Sequence, residues 1–295
     1  MASVSFAKAL VQASRPKTLT ASVVPVVVAV ALAYHDFQKV NFGLLILILL
    51  SAGFIQIGTN FANDALDFIK GADNHERLGP QRVTHQGWMT PKMVLGLAGL
   101  CFLISLLCGI PLVMQGGWPI VVIGLISLAM GYCYTGGPYP LAYKGLGDIF
   151  VLIFFGWVAV GGTYYLMTGT WNISAFIAGT QVGLLGVVLI AVNNLRDRIS
   201  DAKVGKLTLS VRLGRVAHWE ITVLVLVTFG LSFFWLNQGL WKPALYPMLV
   251  FPFALQLDRH LRSTVAGPIY NVYLARAAKI QLGFGALISL GFCLS

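Results

Sequence analysis

The chain has 295 residues, of which 57% are hydrophobic and only 10% charged, against about 25% charged for an ordinary soluble domain. A mean hydropathy of +0.80 leaves too little polar surface to cover a globule in water, which excludes a soluble enzyme, a disordered scaffold and a nucleic-acid-binding protein. The net charge of +10, from 20 Lys and Arg against 10 Asp and Glu, is read instead as loops facing an anionic leaflet of a lipid bilayer.

No short apolar stretch with a cleavage site opens the chain, and the first hydrophobic run follows Arg15-Pro16-Lys17, as a retained spanning helix would. A spanning helix needs about 20 mostly apolar residues. Runs of that kind cover 19–34, 42–59, 93–113, 119–134, 149–167, 173–192, 221–236, 244–257 and 280–294. The expected fold is therefore an all-α integral membrane protein, one domain over 1–295 with nine spans. The 32 glycines suit close helix packing in such a bundle. Cys101, Cys108, Cys133 and Cys293 sit inside apolar runs without ligand spacing and read as small hydrophobes.

With the N-terminus placed in the cytoplasm, 18 of the 20 basic residues fall on the inside, leaving Lys39 and Lys242 outside. That satisfies the positive-inside rule and sets N-in, C-out as the expected orientation. Nine of the ten acids, all but Asp36, fall on the same side. The chemistry is expected at the cytoplasmic face, in the segments 60–92 and 193–215.

The first segment carries Asn60, Asn63, Asp64 and Asp67, with Gly71 and Asp73 following. Positions 60, 63, 64, 67 and 71 are spaced to share one helix face. In the second, Asn193, Asn194, Asp197 and Asp201 stack likewise, with Arg196, Lys203, Gly205 and Lys206 among them. Carboxylates at the C-terminal end of a helix oppose its macrodipole and call for a compensating cation. Two such faces with Asn amides describe an oxygen-rich site for a hard divalent ion such as Mg²⁺, which favours carboxylates, water and substrate phosphates. Lys and Arg beside them would take the remaining phosphate oxygens, so the parts read together as a diphosphate clamp. As solvated interfacial charges, any one of these acids would be unremarkable; the paired pattern points to a site.

Asn63-Asp64-x-x-Asp67 after a second span and Asp197-x-x-x-Asp201 after a sixth resemble the UbiA superfamily of membrane prenyltransferases. The resemblance extends over essentially the whole chain, including Arg15-Pro16-Lys17-Thr18-Leu19. It is most similar to the 1,4-dihydroxy-2-naphthoate polyprenyltransferase branch. The residues that carry this are Asp64-x-x-Asp67-x-x-x-Gly71-x-Asp73, Glu76-Arg77-x-Gly79-Pro80 and Asn193-Asn194-x-Arg196-Asp197-x-x-x-Asp201-x-x-x-Gly205-Lys206-x-Thr208-Leu209. The 4-hydroxybenzoate branch has an Asp where Gly71 stands here.

The resemblance implies nine helices around a central cavity open to the cytoplasmic side of a bacterial inner membrane. It implies Mg²⁺ bridging a polyprenyl diphosphate to Asp64, Asp67, Asp197 and Asp201, with 1,4-dihydroxy-2-naphthoate as acceptor and no nucleic-acid partner. Asn60, Asn63 and Asn193 would orient that site, Lys206 and Arg196 would contact phosphate, and Arg77 and Arg82 are further phosphate candidates. Asp73 either replaces a displaced third acid or caps a loop. In the third inside segment, Tyr134, Tyr139 and Tyr143 are either interfacial belt residues or a shield for an allylic cation. Lys144 is a candidate phosphate contact, and Asp148 reads as a helix-start residue. His75 and His85 read as loop residues. A secondary transporter is the rival class, disfavoured because no acid falls at mid-membrane. Transfer to 4-hydroxybenzoate or homogentisate is the rival within the class.

Overall fold

A computed structural model describes residues 4–73 and 78–295; His75, Glu76 and Arg77, singled out above, lie outside the described residues. Among those described, the secondary structure is helical throughout. A short amphipathic helix α1 (Phe6–Ser14) is N-capped by Ser5, whose side chain accepts from Lys8 N–H, and it buries Ala9 and Ala13. A single 3₁₀ turn, Pro16–Thr18, leads into α2 (Thr20–Phe37). Asn41 then caps α3 (Phe42–Ile69), and Thr90 with Pro91 at the first turn starts α4 (Pro91–Gly116).

After α5 (Trp118–Cys133), α6 (Gly147–Val151) runs unbroken through a π-helical segment, Leu152–Val158, into α7 (Ala159–Thr168). Next come α8 (Ile173–Lys203), capped by Asn172, and α9 (Leu209–Leu213). The C-terminal third holds α10 (His218–Gly230), α11 (Ser232–Asn237), α12 (Trp241–Leu245), α13 (Phe251–Ser263) and α14 (Tyr270–Leu294).

The nine expected spans are realised unevenly. Seven helical runs among the described residues are long and apolar enough to cross a bilayer: α2, α3, α4, α6–α7, α8, α10–α11 and α14. The apolar helix α5 is shorter, at 16 residues. The span expected at 244–257 is broken into α12, a 3₁₀ turn Tyr246–Val250 and α13. Its sequence explains the break: Pro243, Pro247 and Pro252 each lack a backbone donor, and the last two begin new helical segments. Seven unbroken runs of spanning length among the described residues, with α5 and the broken α12–α13 region beside them, stand against the nine spans expected.

Helix α8 is the axis, with 78% of its spanning window buried. Close approach to it depends on glycine. A Cβ on Gly156 of the π-helical segment would lie 2.6 Å from the Gly179 carbonyl oxygen, so this crossing is a backbone contact. The helices enclose a cavity of about 1050 Å³. Asn60, Asp64, Asp67, Asn193 and Lys206 line one end, and Ile48, Leu112, Ile120 and Leu166 the other. Along α3 from Asp67 to Ile48 the wall spans about 28 Å at ~1.5 Å per residue, close to the thickness of a bilayer's hydrocarbon core.

Candidate active site

Both acidic motifs lie on the last turns of long helices, and both helices end alike. After Asp67, the Ala72 N–H donates to Asp67 O at 2.9 Å and the Gly71 N–H to Phe68 O at 3.0 Å. After Asp201, the Lys206 N–H donates to Asp201 O at 2.9 Å and the Gly205 N–H to Ala202 O at 3.2 Å. These are paired Schellman closures. Gly71 and Gly205 both take φ of +71°, a left-handed backbone that disfavours any residue with a Cβ. This is why Gly occupies 71, and the chain reverses there to bring Asp73 back toward α3.

In the first motif, Asp64 is 1% exposed and its oxygens serve the segment around Val83 and Thr84. They accept from Val83 N–H at 3.2 Å, Thr84 N–H at 3.0 Å and the Thr84 hydroxyl at 2.5 Å. Asp67 accepts the Tyr143 hydroxyl at 2.9 Å and lies 3.5 Å from the Arg82 guanidinium. The same guanidinium reaches Asp73 at 3.3 Å, so Arg82 is a buried cation shared by two acids. The acid faces Tyr143 closely enough, with burial the larger cause, to push that phenol well above its usual range. Lys70 lies over the Tyr143 ring at 4.7 Å and donates to Thr135 O. Burial lowers its ammonium below the ordinary lysine range, with Asp67 pulling the other way.

The second motif neutralises itself within one helix. Arg196 grips Asp197 through two bonds of 2.8 and 2.5 Å and also donates to Asn193 and Asn271, each at 2.7 Å. Asn271 donates in turn to Leu78 O at 3.0 Å. Lys206 stands 3.7 Å from Asp201 and 5.6 Å from the centre of the Tyr143 ring. Tyr143 is thus the seam between the motifs: its hydroxyl meets Asp67, its ring meets Lys206, and its carbonyl accepts from Leu207 N–H at 3.1 Å.

The residues expected to form one site therefore divide. Asn60, Asn63, Asp64, Asp67, Arg82, Tyr134, Asn193 and Lys206 line the cavity. Asp197, Asp201, Arg196 and Tyr143 stand behind that lining and hold it. Asn60 donates to Ser14 O at 2.9 Å and to the Thr18 hydroxyl at 3.3 Å, so it ties α3 to the N-terminal turn. Tyr139 is exposed, with Lys144 over its ring at 5.1 Å, and neither lines the cavity. Arg15 and Asn194 do line it, and Asn271 braces Arg196. Sequence reasoning passed over Asn271 because it lies on a distant helix without a motif around it.

Among the described residues, no three His, Cys, Asp or Glu side chains converge on a point. The donor set is hard oxygen held beside cations, which fits a divalent ion shared with a bound phosphate better than an all-protein cage. Asp67 and Asp201 are the acids whose cationic neighbours stand at 3.5 and 3.7 Å, longer than a charge-assisted hydrogen bond. Of the two, Asp67 lines the cavity, so its oxygens could be shared with a metal there.

Comparison with known proteins places the chain in a family. The family model described as "UbiA prenyltransferase family" matches residues 22–266. The chain is similar to a 1,4-dihydroxy-2-naphthoate octaprenyltransferase of Bacillus subtilis (strain 168), 32% identical over 99% of this chain and 94% of that protein. A Haemophilus influenzae protein of the same name is 34% identical over 95% and 94% of the two chains. In fold it resembles a UbiA homologue from Archaeoglobus fulgidus solved with DMAPP and Mg²⁺, at a TM-score of 0.62 and 15% identity over 95% of this chain and 99% of that one. The chain belongs to the UbiA prenyltransferase family and is a multi-pass membrane prenyltransferase.

Proposed function

We propose that this enzyme transfers a polyprenyl group from its diphosphate to 1,4-dihydroxy-2-naphthoate, with loss of CO₂, giving the reduced, hydroquinone form of demethylmenaquinone for menaquinone synthesis. The observation that carries the reading is the cavity, with charged and amide groups at one end and an apolar body running most of a bilayer's depth. A prenyl diphosphate has that same division. The naphthoate acceptor follows from the names of the relatives from Bacillus subtilis and Haemophilus influenzae. The enzyme sits in the bacterial cytoplasmic membrane with its N-terminus and charged end facing the cytoplasm, as the distribution of basic residues favours.

In this reading Lys206 and Arg82 turn from Asp201 and Asp67 toward the diphosphate oxygens, and Arg15 adds positive charge at the same mouth. Asp64, Asp67, Asp197 and Asp201 hold Mg²⁺, directly or through water. When bound, Mg²⁺ neutralises the negative charge that develops on the leaving diphosphate. The apolar walls keep water from the allylic cation until the electron-rich ring attacks it, and Tyr134 presents a π face to the cation from the cavity wall.

The test is turnover by purified protein in nanodiscs, with farnesyl or a longer prenyl diphosphate and either 1,4-dihydroxy-2-naphthoate or 4-hydroxybenzoate, with and without Mg²⁺. A prenylated naphthohydroquinone, read as the quinone after oxidation by air and formed only with Mg²⁺, is the expected product. Product from the benzoate alone would keep the mechanism and overturn the acceptor. Folded protein without product from either acceptor would overturn the reading.

A further inference from the structure

Away from the cavity, the last two helices put cations on the outer face of the bundle. Helix α14 presents Leu274 to the cavity and buries Tyr273, Ala277, Ile280 and Phe284. Its exposed stripe is Val272, Arg276, Lys279, Leu282, Ala286 and Leu290, spaced as one helix face. In a membrane that stripe meets lipid, and two charges stand on it. Helix α13 buries Ala254, Leu257, Asp258 and Leu261 and adds Arg259 and Arg262 to the exposed side.

The depth of these groups follows from length. Helix α14 has 25 residues, and about 20 suffice to cross the hydrocarbon core. Counted back from Leu294, the boundary falls near Ala275, so Arg276 and Lys279 stand at it or about one turn inside. The two helices meet at that level. Arg276 donates to His260 Nδ1 at 3.0 Å and lies 5.6 Å from the centre of the Tyr273 ring, which stacks on His260 at 5.8 Å. Trp219, on the first turn of α10 and 52% exposed, takes the Arg262 guanidinium over its ring at 3.9 Å, as aromatic residues do at a membrane interface. Asn271, on the first turn of α14, reaches Arg196, so the cluster lies at the charged end of the cavity.

Acids on the same elements do not balance it. Asp258 accepts from the Thr222 hydroxyl at 2.7 Å and pairs with Arg262 at 3.0 Å. The carboxyl oxygens of Glu220, beside Trp219 on α10, are shut off from solvent. Arg259 and Lys279 make no hydrogen bond or ion pair among the described residues.

A cation on a lipid-facing stripe is costly unless its stem lies along apolar surface and its head reaches an anion at the interface. Val265, 89% exposed, and Ile269, 44% exposed, sit on the connection between α13 and α14, so apolar and cationic groups share this level as they do at an acyl–headgroup boundary. We propose that the outer face of α13 and α14, with Trp219 beside it, binds the headgroup of an anionic phospholipid. The phosphate meets Arg259, Arg276 and Lys279, and the acyl chains run along the stripe over Leu282 and Leu290. The site is separate from the prenyl-transfer cavity and does not depend on which acceptor the enzyme uses.

The experiment places the purified protein in phosphatidylcholine nanodiscs with a rising fraction of phosphatidylglycerol and reads the melting temperature. Each variant is compared with its own value in phosphatidylcholine alone. Wild type is expected to melt higher as phosphatidylglycerol is added, because a ligand held by the folded state stabilises it. Lys279→Gln and Arg259→Gln should each move the midpoint of that rise to about fivefold more phosphatidylglycerol, the worth of one cation beside an anionic surface. Arg276→Gln should do the same, whereas Arg276→Lys, which keeps the charge, should hold the wild-type midpoint. Lys92→Gln removes an exposed cation at the start of α4 and should leave the midpoint where it was. A wild type without the rise overturns the site, as do Lys279→Gln and Arg259→Gln midpoints equal to wild type. An equal shift from Lys92→Gln also overturns it, since the response would then be to diffuse surface charge. The same rise produced by soluble glycerol phosphate would overturn a lipid as the occupant.

Discussion

Helices α3 and α8 leave the membrane through matching ends, an Asp followed four residues later by a left-handed Gly at φ +71°, and then supply the cavity with different chemistry. From α3 come acids, Asp64 and Asp67, whose partners arrive from other parts of the chain: Val83, Thr84, Arg82 and Tyr143. From α8 and its closure come amides and a cation, Asn193, Asn194 and Lys206, while Asp197 and Asp201 hold the cations of their own segment. One motif offers negative charge that long-range folding must hold in place. The other uses its negative charge to aim positive groups. Two motifs that look like a repeat present the cavity with different groups.

Removing the Asp67 carboxylate tests that division most severely. Asp67→Ala is expected to lower kcat about 10³-fold, in line with losing an electrostatic group that acts on the transition state, with membrane insertion intact. Near-normal turnover would remove Asp67 from the site. Asp64→Ala should cost stability as well as activity, because the buried N–H groups of Val83 and Thr84 lose their acceptor, at about 1–3 kcal/mol each. A melting temperature equal to wild type would show that the 83–84 segment does not depend on Asp64.

On the α8 side, Lys206→Met should raise KM for the diphosphate about tenfold, one charge-assisted hydrogen bond, without moving KM for the acceptor; equal weakening of both contradicts its role. The finest comparison is Gly71→Ala against Gly205→Ala. Nothing lies within 4 Å of either added Cβ, so each should cost only the left-handed strain, about 1 kcal/mol. Only Gly205→Ala, whose neighbour is Lys206, should also weaken diphosphate binding. Equal KM values for the two variants would mean that the helix end does not position Lys206.

Much of this was legible in the residues. Helical spacing placed Asn60, Asp64 and Asp67 on one face because 3.6-residue periodicity is local, and all three are buried on α3. The break at 244–257 was legible too, had the three prolines been weighed above the hydropathy of the run. The ionic partners were not. Arg82 lies between Asp67 and Asp73 only because the segment after the first loop folds back over α3, and Asn271 reaches Arg196 from 75 residues away. Asp148 looked like an ordinary helix-start acid, yet it lines the cavity.

Composition and hydropathy by themselves determined that the chain is a multi-pass membrane protein, and spacing determined which residues make up the two motifs. Only the tertiary structure decided which charged groups face the cavity and which are spent holding the others. The reason is electrostatic. In a low-dielectric bundle almost every charge must find a partner within about 3–4 Å, and which partner stands there depends on how distant helices pack.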